Sequence, residues 1–234
     1  MRDRVWLEIT RRHGIEPDDP STWRGQSPTG LRACKRHWAF KPTMGALVIS
    51  VLDELLGVDR WDLPKHYGQV LVTLPNAVEW RVPHKLWHTD FQFGVAPGIL
   101  FALKHGALLD DVEPGGGGTP QIAGSHRITE RYLREHMGED TEFKWVRDRV
   151  MRSHTWLKAL ATADDDPGRN ARFMEADADI DGLPARVVEL TGSAGDVFLT
   201  HPWVFHTTAV NASSRPRMMQ TKAIYRRQIA TAQP

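Results

Sequence analysis

The most informative stretch of this sequence is GDVFLTHPWVFHTTAVNASSRPR, residues 195–217. It opens with a short β-rich run and contains two histidines, His201 and His206, five positions apart. On a regular strand, residues five apart point to opposite faces, so we expect only one of the two to join a common site. The stretch ends with Arg215 and Arg217, just before another β-rich run. A buried arginine placed there would form a bidentate pair with a carboxylate.

A second segment, Leu86-Trp-His-Thr-Asp-Phe91, supplies a histidine and a carboxylate two positions apart. Residues i and i+2 of a strand point the same way, so His88 and Asp90 would aim at one point. One more histidine, His201 or His206, would complete a 2-His-1-carboxylate set. That set suits non-haem Fe(II), because it leaves open coordination positions.

The pattern of the chain predicts a mainly β protein with flanking helices. Short β-rich runs between turn residues indicate a jelly roll; they lie at 68–74, 78–82, 98–109, 185–190, 195–201 and 217–227. The apolar spacing predicts a helix over 42–56, with one apolar stripe that includes Leu47, Leu52, Leu55 and Leu56. We also expect a short helix in 1–13, an irregular segment over 14–40, and helices within 127–175.

Composition excludes several classes of protein. The 234 residues carry 30 Lys and Arg against 29 Asp and Glu, which gives no support to nucleic-acid binding. The single cysteine rules out an intrachain disulfide and a cysteine-based zinc site. No apolar run approaches the ~18 residues that span a bilayer. The charged N-terminus lacks the apolar stretch of a signal peptide. We expect a soluble, cytoplasmic protein with no membrane or nucleic-acid partner.

Three blocks of the sequence belong together: His88-Thr89-Asp90, the glycine-rich GGGGTPQIAGSHR at 115–127, and the stretch at 195–217. In this order they resemble the phytanoyl-CoA dioxygenase family of Fe(II)/2-oxoglutarate-dependent oxygenases. The resemblance implies a double-stranded β-helix (jelly-roll, cupin-like) core and a requirement for Fe(II), 2-oxoglutarate and O2. It also implies one oxygenase domain over 1–234. In that domain 1–65 is an N-terminal region, 66–126 and 184–228 form the core, and 127–183 is a helical insert or lid.

The resemblance also implies roles for individual residues. It makes His88, Asp90 and His206 the iron ligands and the catalytic centre, with His201 as a non-ligating neighbour. It assigns the distal carboxylate of 2-oxoglutarate to Arg217, with Arg215 as the alternative. Thr208 would share that carboxylate, and Thr119 would lie near the cosubstrate.

The function implied is hydroxylation of a small molecule, such as a secondary metabolite or an acyl compound, with release of succinate and CO2. The carboxylate at Asp90 favours oxygenation, because related halogenases have Gly or Ala at that position. Two alternatives stay open from the sequence. One is a jelly-roll metal-dependent oxygenase that does not use 2-oxoglutarate, and the other is a non-catalytic jelly-roll binding module. The sequence identifies neither the substrate nor the oligomeric state.

Overall fold

The computed structural model describes residues 1–23, 28–91, 93, 95–136 and 143–227. The α-helices are α1 (Arg2–His13), α2 (Ala46–Leu56), α3 (Ser125–Glu135), α4 (Phe143–Arg152), α5 (Thr155–Leu160) and α6 (Arg169–Met174). Three 3-10 helices occupy Pro20–Trp23, Arg32–Arg36 and Trp38–Met44. The strands are β1 (Gln69–Thr73), β2 (Ala102–Leu108), β3 (Pro120–Ala123), β4 (Ala178–Ile180), β5 (Leu183–Glu189), β6 (Val197–Thr200) and β7 (Arg217–Tyr225).

Two antiparallel sheets form the core, as the jelly-roll prediction requires. The first has the strand order β1-β7-β2-β6 and the second has the order β3-β5-β4. Isolated bridges extend the second sheet, because Gln121 of β3 pairs with His206 and His206 pairs with His88. The fold is therefore mainly β with flanking helices, and the predicted ligand segments lie along one of its two sheets.

The helices cover the outer faces of the sheets. The insert packs on β3 and β5, where Ile122 and Val187 share a core with Leu157, Leu160 and Phe173 of the helices. The N-terminal helix α1 packs near β1 through Val5 and Ile9. No helix in the described parts of the chain is long and apolar enough to cross a membrane.

The helix predictions over 1–13 and 127–175 are confirmed, although 137–142 lie outside the described residues. The predicted apolar stripe of α2 is only partly buried. Leu52 and Leu56 are in the core, whereas Leu47 and Leu55 are exposed. The segment predicted to be irregular, 14–40, contains two complete 3-10 helices and the start of a third.

The predicted strand at 78–82 is wrong, and the contacts of its backbone show why. The amide of Val82 donates to Asn170 Oδ1 at 2.8 Å, and Asn170 Nδ2 donates to the carbonyl of Trp80 at 3.2 Å. Arg169 Nε donates to the carbonyl of Val82 at 2.7 Å. Side chains of α6 therefore satisfy backbone groups that a neighbouring strand would otherwise pair.

Candidate metal centre

Backbone pairing brings the two predicted ligand segments side by side. The amide of His88 donates to the carbonyl of His206 at 3.0 Å, and the amide of His206 donates back at 2.9 Å. Such an exchange makes the two residues a directly opposed antiparallel pair. Their imidazole rings lie on the same face, with centroids 4.4 Å apart.

Asp90 completes the cluster. The ligand atoms of His88, Asp90 and His206 all lie within 4.8 Å of one another. His88 Nε2 is 3.7 Å from Asp90 Oδ1, and His206 Nε2 is 3.4 Å from Asp90 Oδ2. The segment at 88–90 contributes one bridge residue rather than a regular strand, yet the imidazole and the carboxylate meet as the sequence predicted.

Each imidazole is oriented by its own backbone. His88 Nδ1 lies 2.6 Å from the carbonyl of Leu86, and His206 Nδ1 lies 3.2 Å from that of Val204. These contacts fit a tautomer in which Nδ1–H donates and the Nε2 lone pair faces the cluster. Metal-binding histidines are held in this way by the hydrogen bond of the other ring nitrogen.

A lysine that the sequence analysis did not single out contacts the carboxylate. Lys104 of β2 forms an ion pair with Asp90 Oδ2. It also lines a cavity that contains the three-residue cluster. Burial raises the pKa of Asp90, but the contacts with His206 and Lys104 outweigh it and hold that pKa below its usual range. The carboxylate is therefore ionised and ready to bind a cation at neutral pH.

His201 lies outside the cluster. Its Nδ1 accepts a hydrogen bond from the amide of Trp203 at 3.2 Å, and its ring lies 5.0 Å from that of His126. Strand β6 ends at Thr200, and the chain turns over 201–203, so the two histidines do not share one regular strand. The assumption of one regular strand through both histidines was therefore wrong. The expectation that one of the two joins the site holds, because His206 reaches His88 and Asp90 and His201 does not.

Arg217 is buried at the start of β7 and lines the cavity. Its Nε donates to the carbonyl of Gly117 at 2.8 Å, while its Nη1 has no hydrogen-bond partner. Burial lowers the pKa of Arg217 to about 10, opposed by the charge of Glu189. The guanidinium therefore stays charged at neutral pH, and a buried donor without a partner fits an incoming carboxylate.

The alternative arginine, Arg215, points away. It is half exposed, its Nη2 contacts Asp110 Oδ1 at 3.2 Å, and it does not line the cavity.

Backbone hydrogen bonds and close contacts hold the glycine-rich loop in place. Glu189 accepts hydrogen bonds from the amides of Gly115 at 2.7 Å and Gly118 at 2.9 Å. A Cβ at Gly118 would lie 2.4 Å from the carbonyl oxygen of Leu190, so no larger residue fits without movement. The same loop supplies the carbonyl that binds Arg217.

Thr208 and Thr119 both line the cavity of about 250 Å³ that also contains the three-residue cluster and Arg217, and their contacts with the cosubstrate stay predictions. Thr208 is exposed and Thr119 is partly buried, with its hydroxyl 3.7 Å from Met219 Sδ. Residues of the described part of the insert do not line this cavity. A lid role for 127–183, and the division of the chain into the predicted parts, stay predictions.

The residues fit both groups that the sequence implies. Two imidazole Nε2 atoms and one carboxylate on one side of a cavity form the facial donor set of Fe(II) oxygenases. The unpartnered, buried Nη1 of Arg217 fits the carboxylate of a small diacid such as 2-oxoglutarate.

The fold and this donor set are those of jelly-roll, non-haem iron oxygenases of the 2-oxoglutarate-dependent class. The model of the phytanoyl-CoA dioxygenase (PhyH) family matches residues 31–219, so the chain belongs to that family, as the three sequence blocks predicted. The metal and the cosubstrate that this site fits are Fe(II) and 2-oxoglutarate.

Solved structures add more distant similarities. AviO1 from Streptomyces viridochromogenes Tue57 is 19% identical, with a TM-score of 0.36, over 70% of this chain and 50% of that one. The non-heme alpha ketoglutarate dependent carbocyclase SnoK from nogalamycin biosynthesis is 22% identical, with a TM-score of 0.35, over 68% and 47%. EvdO2 from Micromonospora carbonacea var. aurantiaca, complexed with 2-oxoglutarate, is 17% identical, with a TM-score of 0.42, over 81% and 62%. The chain spans less than two thirds of each of these proteins. Comparison with curated proteins gave no match.

Proposed function

We propose that this protein hydroxylates a small molecule, with His88, Asp90 and His206 as its iron ligands. The observation that carries the proposal is the convergence of these three ligand atoms within 4.8 Å. The backbone contacts at Nδ1 of both histidines support it further, because they leave each Nε2 free to bind the metal. Bound Fe(II) supplies the activation of O2 that couples conversion of 2-oxoglutarate to succinate and CO2 with hydroxylation of the substrate.

We further propose that Arg217 binds the distal carboxylate of 2-oxoglutarate. Its buried position strengthens a charge-assisted hydrogen bond relative to one in water. Its contact with Gly117 fixes the guanidinium in one orientation, so Nη1 is positioned before the cosubstrate arrives. Thr208 would share that carboxylate, and Thr119 would contact the same molecule from the end of the glycine-rich loop.

The cavity wall supports chemistry on a small, largely apolar substrate. Phe198, Leu71 and Met219 line the cavity together with the charged cluster. These apolar side chains exclude water from the reacting atoms and limit the size of molecule that reaches the metal.

Succinate release tests this proposal. Purified protein with Fe(II), ascorbate and 2-oxoglutarate should form succinate slowly even without added substrate. Asp90→Ala should lose this turnover while keeping the far-ultraviolet circular dichroism and thermal transition of the parent. Thr89→Ser, at the neighbouring buried position, is the matched control and should retain it. A well-folded Asp90→Ala protein with near-normal turnover would contradict the ligand assignment.

A further inference from the structure

A second cavity meets the iron cavity at Arg217. This outer cavity has a volume of about 600 Å³ and is lined by strand β1 and by the segment 28–35. Besides Arg217, three residues line both cavities, and they are Gln69, Leu71 and Thr208. The outer cavity therefore shares one wall with the iron cavity, and the proposed carboxylate-binding arginine is part of that wall.

The shared wall is formed at the open edge of a sheet. Strand β1 ends its sheet, with β7 as its one neighbour among the described strands. Gln69 and Thr208 are exposed, and Leu71 is partly buried. Arg217 is only 4% exposed, and its Nε donates to the carbonyl of Gly117. The wall thus combines exposed side chains with a guanidinium that is held in place.

The outer cavity is cationic. Arg32 and Lys35 line it from exposed positions, and neither forms an ion pair with the described residues. With Arg217, its lining carries three cationic groups and, among the described residues, no carboxylate. Each of four other cavities in the described chain, the iron cavity included, is lined by at least one carboxylate. A cleft lined by one sign of charge concentrates small ions of the opposite sign and raises their association rate.

We propose that the outer cavity is the port through which 2-oxoglutarate reaches Arg217 and succinate leaves. The inference rests on the proposed function, because it takes the distal carboxylate of 2-oxoglutarate as the ligand of Arg217. Both compounds are dianions at neutral pH, so Arg32 and Lys35 attract them electrostatically. Exposed side chains change rotamer within nanoseconds, and movement of Gln69 and Thr208 opens the wall. The incoming carboxylate then meets Nη1 of Arg217 through a cavity that none of the proposed metal ligands lines.

The first test measures how fast 2-oxoglutarate binds. Stopped-flow mixing with the anaerobic Fe(II) protein gives the association rate from the visible band, and a chase with excess N-oxalylglycine gives the dissociation rate. The double variant Arg32→Gln/Lys35→Gln removes both exposed cations of the port. Its control, Lys41→Gln/Arg60→Gln, removes the same charge from exposed positions that line neither cavity. Each variant is checked for an unchanged thermal transition.

We expect association to slow about five-fold or more in the Arg32/Lys35 variant at low ionic strength. The difference should shrink as salt is added, because salt screens exposed charges. Dissociation should be unchanged, and the control should bind close to the parental rate. Association as fast as in the parent would overturn the inference. An effect confined to dissociation would overturn it too, by placing the two cations in the bound complex.

A reversible plug tests the route itself. Thr29 is exposed and lines the outer cavity but not the iron cavity. The single cysteine, Cys34, is buried, so benzyl methanethiosulfonate modifies the thiol introduced by Thr29→Cys. The label should slow association and dissociation by the same factor at unchanged affinity, because an obstructed route slows passage in both directions. Reduction of the mixed disulfide should restore both rates, and labelled Ser50→Cys, at an exposed position of α2, should behave as the parent.

The outcomes separate this inference from the proposed function. Rates that the label at position 29 leaves unchanged would overturn the port and leave the proposed function intact. If the parent forms no visible band with Fe(II) and 2-oxoglutarate, the proposed function fails and the inference fails with it.

Discussion

Glu189 and Arg217 bind the same glycine loop. The carboxylate of Glu189 accepts from the amides of Gly115 and Gly118, and the guanidinium of Arg217 donates to the carbonyl of Gly117 between them. Burial raises the pKa of Glu189 above its usual value, and the loop amides oppose that shift. The loop thus links a partly buried acid at the end of β5 to the arginine proposed to hold 2-oxoglutarate.

This linkage predicts that Glu189→Gln weakens cosubstrate binding without touching the metal. The amide of glutamine accepts one loop hydrogen bond but presents N–H groups to the other donor, so the loop shifts and Arg217 loses its fixed orientation. We expect about ten-fold weaker 2-oxoglutarate binding, about 1.4 kcal/mol, with unchanged Fe(II) affinity, both measured by anaerobic titration calorimetry. Glu113→Gln, an exposed acid beside the same loop, is the control. Equal effects of both variants would argue against a positioning role for Glu189.

Arg217→Met should reduce 2-oxoglutarate affinity about 100-fold. Losing a buried charged donor to a carboxylate costs about 2–5 kcal/mol, and methionine keeps most of the side-chain volume. Arg215→Met is the matched control, because that arginine pairs with Asp110 away from the cavity and should leave the affinity unchanged. Cosubstrate binding that survives Arg217→Met but falls in Arg215→Met would exchange the two assignments.

The two histidines of the 201–206 segment should differ sharply in iron binding. His206→Ala removes a donor from the three-residue cluster, so we expect the stoichiometry of tightly bound Fe(II) to fall to near zero. His201→Ala removes a ring packed against His126 and an acceptor for the amide of Trp203, both outside the cluster, and should retain close to one iron per chain. Metal analysis after anaerobic gel filtration gives both values. Iron retained by the His206 variant and lost by the His201 variant would reverse the ligand set.

His105 predicts an acid-sensitive fold. Its Nε2 lies 2.8 Å from the carbonyl of Thr43, and burial lowers its pKa from 6.5 to about 4. The unfolded chain binds this proton more readily than the folded one. The contribution of neutral His105 to the free energy of unfolding is therefore fully present above pH 6.5 and is lost as the pH falls towards 4. A pKa shift of this size corresponds to a loss of about 3 kcal/mol in the free energy of unfolding.

His105→Gln keeps a donor in the place of Nε2 but does not titrate. Urea unfolding of both proteins between pH 7 and pH 4 should therefore show a shallower loss of stability in the variant. Parallel curves for the two proteins would contradict the assignment of this acid sensitivity to His105.

The sequence could predict those site residues that lie close together along the chain. His88 and Asp90 are two residues apart, so even an isolated bridge aims them at one point. The five-residue spacing did not decide between His201 and His206, and the family resemblance favoured His206. The turn at 201–203 shows why His201 lies elsewhere. The resemblance placed Arg217, while the structure shows why it differs from Arg215: one is buried with a free Nη1 and the other faces Asp110.

Long-range contacts account for what sequence missed. The run at 78–82 has a strand-like composition, but its amide and carbonyl groups bind Asn170 and Arg169, almost ninety positions away. In the sequence, nothing distinguishes Glu189 from other acidic residues at strand ends. Its role becomes visible only in the fold, where it accepts hydrogen bonds from the glycine loop. Lys104 carried a usable signal, because it lies in the apolar strand ALKHGAL on the same face as Gly106. A lysine there predicts a charged partner, which only the fold identifies as Asp90.

The central claim is that one site binds Fe(II) and 2-oxoglutarate together, and the absorption spectrum of the anaerobic complex tests it most directly. Fe(II) and 2-oxoglutarate are added to the apoprotein separately and then jointly, with the Arg217→Met variant measured at the same cosubstrate concentration. We expect a visible charge-transfer band that requires both additions and is lost in the variant. Bound iron with no band in the parent protein would contradict the account and favour a jelly-roll oxygenase that does not use 2-oxoglutarate.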